Sequence, residues 1–337
     1  MKYPQTIKPA IYIFGLAGGA VFICLLIREG IGPVVSAIAR TGWLLLAVIF
    51  YHLIQTLSDA AGWLMLIPKR HRISMFISFF IHWVAESINN LVPTGRVGGD
   101  VVLTRIAVAL GVPLQIATAA MVVDITVGVA TKVVLLLVAS VLLVTKTDRQ
   151  DLALPAFVAA VLGVIAASGF YAVQRLGIFR VSAKLAARLA RSPEWEPLIR
   201  SGEALDEAIR QVYTRRDQLA ACCFFWTLSW FIACGEIWLT LWAVGWQTGF
   251  TTAVILETTV VAVRNAAFLV PGAVGVQEAG YVFIGSLLGI PGDIALALSL
   301  IRRTRELLLG IPGLIGWHLL ETHRLLQGSG NSPESSS

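Results

Sequence analysis

A chain of 337 residues that is 57% hydrophobic and only 14% charged, with mean hydropathy +0.78, has too little polar surface for a soluble globular protein. Its formal charge of +6 and pI of about 9.4 would direct a soluble protein toward nucleic acid; in a bilayer they report basic cytoplasmic loops, so nucleic acid is not an expected partner. Only helices and closed barrels satisfy a spanning backbone, and apolar runs of about 20 residues recur along the chain, so the expected fold is an all-α polytopic membrane protein of about eight spans.

The first apolar run, residues 10–27, follows Lys2 and Lys8. Arg28 and Glu29 come directly after it without a small-residue cleavage site, so it reads as a retained helix and not a signal peptide. A short amphipathic connection over 30–41 leads to a second span, about 42–66, with His52, Gln55 and Asp59 on one face. Polar groups within a span turn toward other helices or a watery cavity. Lys69, Arg70 and Arg72 then mark a cytoplasmic loop. The third span, 73–92, repeats the polar stripe with His82, Glu86 and Asn89 or Asn90. After Pro113 a long apolar helix runs to about Val144 and holds Asp124, Gly128 and Lys132, a spacing that lets Lys132 reach Asp124 only indirectly. A further span covers about 152–173.

Residues 175–216 form the one extended polar region, with nine basic and five acidic residues, and read as two cytoplasmic surface helices, near 178–191 and 198–213. The next apolar run, 218–244, carries Trp226, Trp230, Trp238 and Trp242, which read as interface anchors and packing residues. A span starting near Phe250 brings Glu257, Arg264 and Asn265. The last apolar segment, 294–321, is interrupted by Arg302, Arg303, Arg305 and Glu306; the arginines are either topology signals at the cytoplasmic boundary or head-group contacts. Residues 326–337 read as a disordered tail. The four cysteines sit in apolar runs without disulfide or metal spacing and read as packing residues.

A shift of 178 residues lays Leu91, Val92 and Pro93 on Leu269, Val270 and Pro271, Asp100 on Glu278, and Leu110, Gly111 and Pro113 on Leu288, Gly289 and Pro291. Gly95 and Gly98 meet Gly272 and Gly275 at one residue less. Chance matching of apolar letters does not place two prolines, a glycine and a carboxylate at the same spacings twice, so the chain contains a duplicated unit with cores at about 73–144 and 250–321. Counting crossings out of the basic loops puts the first Leu-Val-Pro loop outside and the second inside. The copies are thus inverted repeats, and their Gly- and Pro-rich loops predict broken or re-entrant helices. Both basic loops lie inside only if an even number of crossings separates them. Either residues 98–112 make a short crossing or the segment 113–144 folds back. Arg264 corresponds to Glu86 under the shift, and the two are expected to converge near the repeat axis.

The run Asn89-x-x-x-Pro93-x-Gly95-x-x-Gly98-Gly99-Asp100, followed by Pro271-Gly272-x-x-Gly275-x-x-Glu278 and by Arg302 to Arg305, resembles the flippase-like transmembrane domain of the lysylphosphatidylglycerol synthase family. The resemblance covers about residues 8–325 and is strongest to the stand-alone members associated with hopanoid biosynthesis. It implies a single flippase-like domain over 1–325 in the bacterial inner membrane, moving lipid between leaflets or passing it onward. Its partners would be membrane lipids, a hopanoid or a phospholipid, together with lipid-biosynthesis or export proteins. The chain shows no soluble aminoacyl-transfer domain, so synthesis of a charged lipid is not expected of it.

Chemistry read from the residues agrees with transport. The five histidines lack metal-ligand spacing and no P-loop is present, so neither metal, cofactor nor enzyme activity is expected. Asp100 and Glu278 follow glycine-rich turns and serve either a head group or a proton, or else cap their helices. A charge at mid-span costs about 2.5–3.5 kcal/mol even on the lenient insertion scale. Asp59, Glu86, Asp124, Lys132, Glu257 and Arg264 should therefore line a polar interior. The candidate lipid path comprises Glu86, Asn89, Asn90, Arg96, Asp100, Asp124, Arg264, Asn265, Glu278, Arg302 and Arg305. Pro93, Gly95, Gly98, Gly99, Pro271, Gly272 and Gly275 shape the two loops. The alternative is a membrane scaffold that gathers lipid-synthesising enzymes through residues 175–216.

Overall fold

The computed structural model describes residues 31–92, 98–147, 153–175, 196–267 and 270–329, together with Cys24 and Ile27. Most of the expected first helix, the surface helix near 178–191, the loop residues Pro93, Gly95 and Arg96, and residues 330–337 lie outside the described residues. Among those described the chain is wholly helical apart from turns, as α1 (Ile31–Thr41), α2 (Leu44–Leu66), α3 (Met75–Leu91), α4 (Gly98–Ala109), α5 (Leu114–Thr147), α6 (Ala153–Arg175), α7 (Glu196–Thr214), α8 (Arg216–Ala243), α9 (Phe250–Ala266), α10 (Val276–Leu287) and α11 (Gly292–Ser329). The protein is an all-α polytopic membrane protein. α2, α5 and α8 are long and apolar enough to cross a bilayer. α11 has the length, but its central charges keep it from reading as a simple span.

The duplication is visible in the helices themselves. α3 and α9 have 17 residues each, and α4 and α10 have 12 each. The 178-residue shift carries Gly98–Ala109 onto Val276–Leu287 and the start of α5 onto the start of α11. The exits match bond for bond. Val112 N–H donates to the Ala107 carbonyl at 3.1 Å, and Ile290 N–H to the Gly285 carbonyl at 2.8 Å. Gly111 (φ +96°) and Gly289 (φ +76°) occupy the left-handed position that this helix ending requires. The unit is larger than the sequence cores, because α2 precedes α3 as α8 precedes α9. α2 and α8 run antiparallel: Tyr51 faces Gly235, Ser58 donates to the Phe225 carbonyl at 2.8 Å, and Gly62 lies against Phe225 and Cys222. Antiparallel lead helices make the two units inverted. Each unit also packs its 17-residue helix on the long helix of the other, α3 on α11 and α9 on α5.

At 1.5 Å per residue α4 and α10 are about 18 Å long, short of the roughly 30 Å of a hydrocarbon core. They are the return legs of the α3–α4 and α9–α10 hairpins. α5 is one uninterrupted helix of 34 residues, so the fold-back alternative fails, and the hairpin followed by α5 and α6 leaves both basic loops on one side. One bond within α3 and one across the turn shape the first hairpin. Ser74 caps α3 by accepting from Ile77 N–H at 3.3 Å, and Gly99 N–H donates to Asn89 Oδ1 at 2.8 Å. A Cβ on Gly99 would run into the Ala85 carbonyl, so glycine permits this approach of α4 to α3. Arg72 closes the end of α2 by donating to the Ile67 carbonyl at 2.9 Å and the Met65 carbonyl at 3.1 Å. α7 is the described part of the surface region. It buries Ile209 and Val212 against α5 and α6 while Glu203, Glu207 and Gln211 face outward. The expected tail boundary moves, because α11 continues through residues 326–329.

The apolar core divides in two. One cluster joins α2, α3, α4 and α5 around Trp63, Ile81 and Val123; the other joins α8, α9, α10 and α11 around Leu256, Tyr281 and Leu298. The polar interior residues collect between them.

Candidate functional site

A cavity of about 240 Å³ lies where the two units meet, with residues from α2, α3, α4, α5, α8, α9 and α11 in its walls. Of the eleven candidate path residues it brings together nine: Glu86, Asn89, Asn90, Asp100 and Asp124 from the first unit, and Arg264, Asn265, Arg302 and Arg305 from the second. Asp59, Lys132 and Glu257 join them. Arg96 lies outside the described residues. Glu278 does not line the cavity.

Two pairs of positions equivalent under the repeat carry opposite charge. Glu86 corresponds to Arg264 and Asp124 to Arg302, and all four line the cavity. One wall is therefore acidic and the other rich in arginine. Glu86 and Arg264 share the cavity, but each has a different closest partner from the one the repeat suggested. Glu86 Oε1 meets His52 Nε2 at 2.7 Å and its Oε2 accepts from Thr56 at 3.0 Å, whereas Arg264 donates to Glu306 Oε1 at 2.7 Å.

The arginine wall is an ion-pair lattice. Arg302 donates to Glu257 Oε2 at 2.6 Å and to the Tyr281 hydroxyl at 2.9 Å. Arg305 pairs with Glu236 and reaches Glu306 at 3.9 Å. Arg305 is thus buried and Arg302 half-buried, and both are paired inside the fold, where a boundary topology signal would be exposed. Each guanidinium is taken from water and matched by an acid from another helix, the arrangement that makes a buried charge tolerable.

The acidic wall is arranged differently. Trp226 Nε1 donates to Asp124 Oδ1 at 2.9 Å, and the Cys222 thiol lies 3.6 Å from the same oxygen. The Lys132 ammonium sits 5.2 Å from the Trp226 ring and 5.9 Å from that of Trp230, so Lys132 meets Asp124 through an indole, the indirect link its spacing allowed. Gly128 makes room for this, since a Cβ there would stand 2.8 Å from the Trp226 ring. Trp226 and Trp230 therefore face the cavity and are not interface anchors; Trp238 and Trp242, 43% and 50% exposed, keep that reading.

The two loop acids have parted roles. Asp100 lines the cavity at the start of α4. Glu278 is fully buried, accepts from Gly275 N–H at 2.7 Å as the closing half of a capping box, and binds Arg303 through both oxygens at 2.5 and 3.2 Å. Arg303 extends this lock to the loop, donating to the Gly272 carbonyl at 3.2 Å and the Ala273 carbonyl at 3.4 Å. Gly272 and Ala273 both have positive φ, +61° and +49°, so the guanidinium fastens a turn that the backbone alone disfavours. Capping therefore describes Glu278.

Glu236 is the residue that sequence reading passed over. It stands in the Trp-rich run 218–244, is 4% exposed, and accepts from Arg305 while contacting His52 Nδ1 at 2.9 Å. The signal was present, since a carboxylate in an apolar run carries the same insertion cost that singled out Glu257. Among the described residues no group of His, Cys, Asp and Glu is arranged to hold a metal.

The family model for the lysylphosphatidylglycerol synthase transmembrane region matches residues 12–313, which include the first unit, most of the second and every residue that lines the cavity. Neither a curated protein nor a solved structure matches the chain. With an inverted helical duplication and a charged central cavity enclosed by the matched residues, the chain belongs to the lysylphosphatidylglycerol synthase transmembrane family, a membrane domain tied to lipid-related functions.

Proposed function

We propose that this chain moves a polar-headed bacterial lipid across or out of the inner membrane, with a hopanoid as the first cargo to test and a phospholipid as the second. The observation that carries the reading is the pairing of opposite charges at equivalent positions, Glu86 with Arg264 and Asp124 with Arg302, around a cavity between inverted units. A head group needs hydrogen-bonding walls inside the bilayer, and a tail needs a path open to lipid. The acidic wall offers carboxylates and indoles to hydroxyls or an ammonium, while the arginine wall offers guanidinium N–H groups to a phosphate or ester. Hopanoid as cargo is supported by the resemblance in the loop motifs and not by the shape of the cavity.

The test is reconstitution of the purified chain into liposomes containing a trace of head-group-labelled lipid, with the outer leaflet read by a membrane-impermeant quencher. Accelerated equilibration of a hopanoid or phospholipid, lost in Asp124→Asn and Asp100→Asn at equal protein incorporation, is the expected result. An equilibration rate equal to that of empty liposomes for every lipid tried, joined to lost lipid synthesis in a deletion strain, would favour the scaffold.

A further inference from the structure

One buried group belongs to neither wall alone. His52, 5% exposed and midway along α2, has both ring nitrogens against carboxylates: Nε2 is 2.7 Å from Glu86 of α3 and Nδ1 is 2.9 Å from Glu236 of α8. Arg305 of α11 holds the other oxygen of Glu236 and comes within 2.8 Å of Nδ1. A neutral imidazole has one N–H and one lone pair, whereas a carboxylate only accepts. A neutral ring can give Glu86 its one N–H and accept from Arg305 at Nδ1, but Glu236 Oε2, 2.9 Å away, then faces the Nδ1 lone pair; joining both carboxylates to the ring takes an extra proton, on the ring or on one acid. With that proton the lattice is electrically even: Arg264, Arg302, Arg305 and His52 face Glu86, Glu236, Glu257 and Glu306. Without it, one buried negative charge is left over.

The same junction is a partition. His52, Glu86, Asn90, Arg305 and Glu306 line both the main cavity and a second, water-sized one of about 10 Å³ between α3 and α11. Beyond it the two helices meet along a seam of glycines, Gly310 on Leu91, Gly313 on Ser87 and Gly316 on Phe80. Pro312 interrupts the helical bonding of α11 at this place, and Trp83 Nε1 donates to the Leu309 carbonyl at 2.9 Å.

The geometry points to His52 as the proton-binding residue of this protein, whose loaded state holds the partition closed by joining Glu86 to Glu236 and whose unloaded state releases Glu86 and opens the main cavity to the α3–α11 seam. The other charged groups around it are Tyr51 and Asp59 on its own helix, His82 on α3, Asp124 and Lys132 on α5, and Glu306 on α11. None of these hydrogen-bonds to the ring, whose partners are Glu86, Glu236 and Arg305, so losing the proton acts first on the two glutamate contacts. That the proton drives cargo rests on the lipid-transport reading; that it controls the partition does not.

The experiment therefore uses no lipid cargo. In the full chain with its four cysteines replaced, Leu309→Cys places a thiol in the small cavity, and labelling by a small charged thiol reagent is followed from pH 5.5 to 8.5 in detergent. Rates are divided by those of Gln247→Cys, an exposed reference that removes the titration of the thiol itself. The normalised rate should rise severalfold with pH when His52 is present and become flat in His52→Gln. Should His52→Gln fail to fold, Glu86→Gln replaces it, since an amide meets the ring without requiring the extra proton, and it too should flatten the profile. A flat profile with His52 and Glu86 intact, or an unchanged rise in the variant, overturns the assignment. Failure of lipid movement with the pH profile intact would count against the transport reading and leave the proton site standing.

Discussion

Replacing Glu306 with Gln should destabilise the protein more than replacing its partner Arg264, and the double replacement should cost less than the sum. The two side chains are each 6% exposed and meet at 2.7 Å. Glu306 also lies 3.8 Å from Arg302 Nε and 3.9 Å from Arg305 Nη2. Arg264→Gln strands one carboxylate that keeps two more distant guanidinium groups, whereas Glu306→Gln removes the acid that three guanidinium groups share. Breaking a buried pair from one side costs about 3–5 kcal/mol. Arg264→Gln should fall at or below about 3 kcal/mol and Glu306→Gln toward about 5 kcal/mol, with a coupling of at least about 1 kcal/mol in the double mutant. Equilibrium unfolding in mixed micelles, followed by fluorescence of the tryptophans, supplies the three differences. A parallel cycle on Arg264 and Glu86, which share the cavity without a direct contact, should show weaker coupling. Strict additivity at Arg264 and Glu306, or a milder Glu306→Gln, would refute the lattice.

Gly99→Ala should open the α3–α4 hairpin, because the added methyl meets backbone at Ala85 and stands 2.7 Å from Asn89 Cγ; overpacking of this kind costs about 1–3 kcal/mol, read as a lowered unfolding midpoint, and wild-type stability would contradict the close approach. For the inverted topology, single cysteines at Glu207, on the outer face of α7, and at Gln247, in the connection after α8, should react with an impermeant thiol reagent from opposite sides of oriented vesicles. Labelling of both from one side would exclude it.

Much of the site could be read before the fold. Nine candidate path residues stand in one cavity because the rule that selected them is local: a charge or amide within an apolar run must face away from lipid wherever the helix packs. Glu236 obeys the same rule, although the tryptophans around it dominate the pattern of its run. For Trp226 and Trp230 the packing half of the reading holds and the anchoring half does not, for a related reason. Interface anchoring depends on depth in the bilayer, and spacing along one helix does not reveal that Gly128 on α5 offers an indole a seat beside Asp124.

The solvent, the secondary structure and the duplication are legible in the residues alone. Hydropathy sets the bilayer, a bilayer demands helices, and repeated spacings of Pro, Gly and acid survive because each marks a helix end that recurs bond for bond at Gly111 and Gly289. The partners of the charged groups emerge with the packing of the helices. Equivalence under the repeat placed Glu86 opposite Arg264, yet Glu86 went to His52 and Arg264 to Glu306; likewise Asp100 faces the cavity while Glu278, its counterpart, is consumed by Arg303 and a helix cap. Ion pairing falls off over a few ångströms, and those ångströms are set by how helices from distant parts of the chain lean on one another, α3 on α11 and α9 on α5, which no local pattern records.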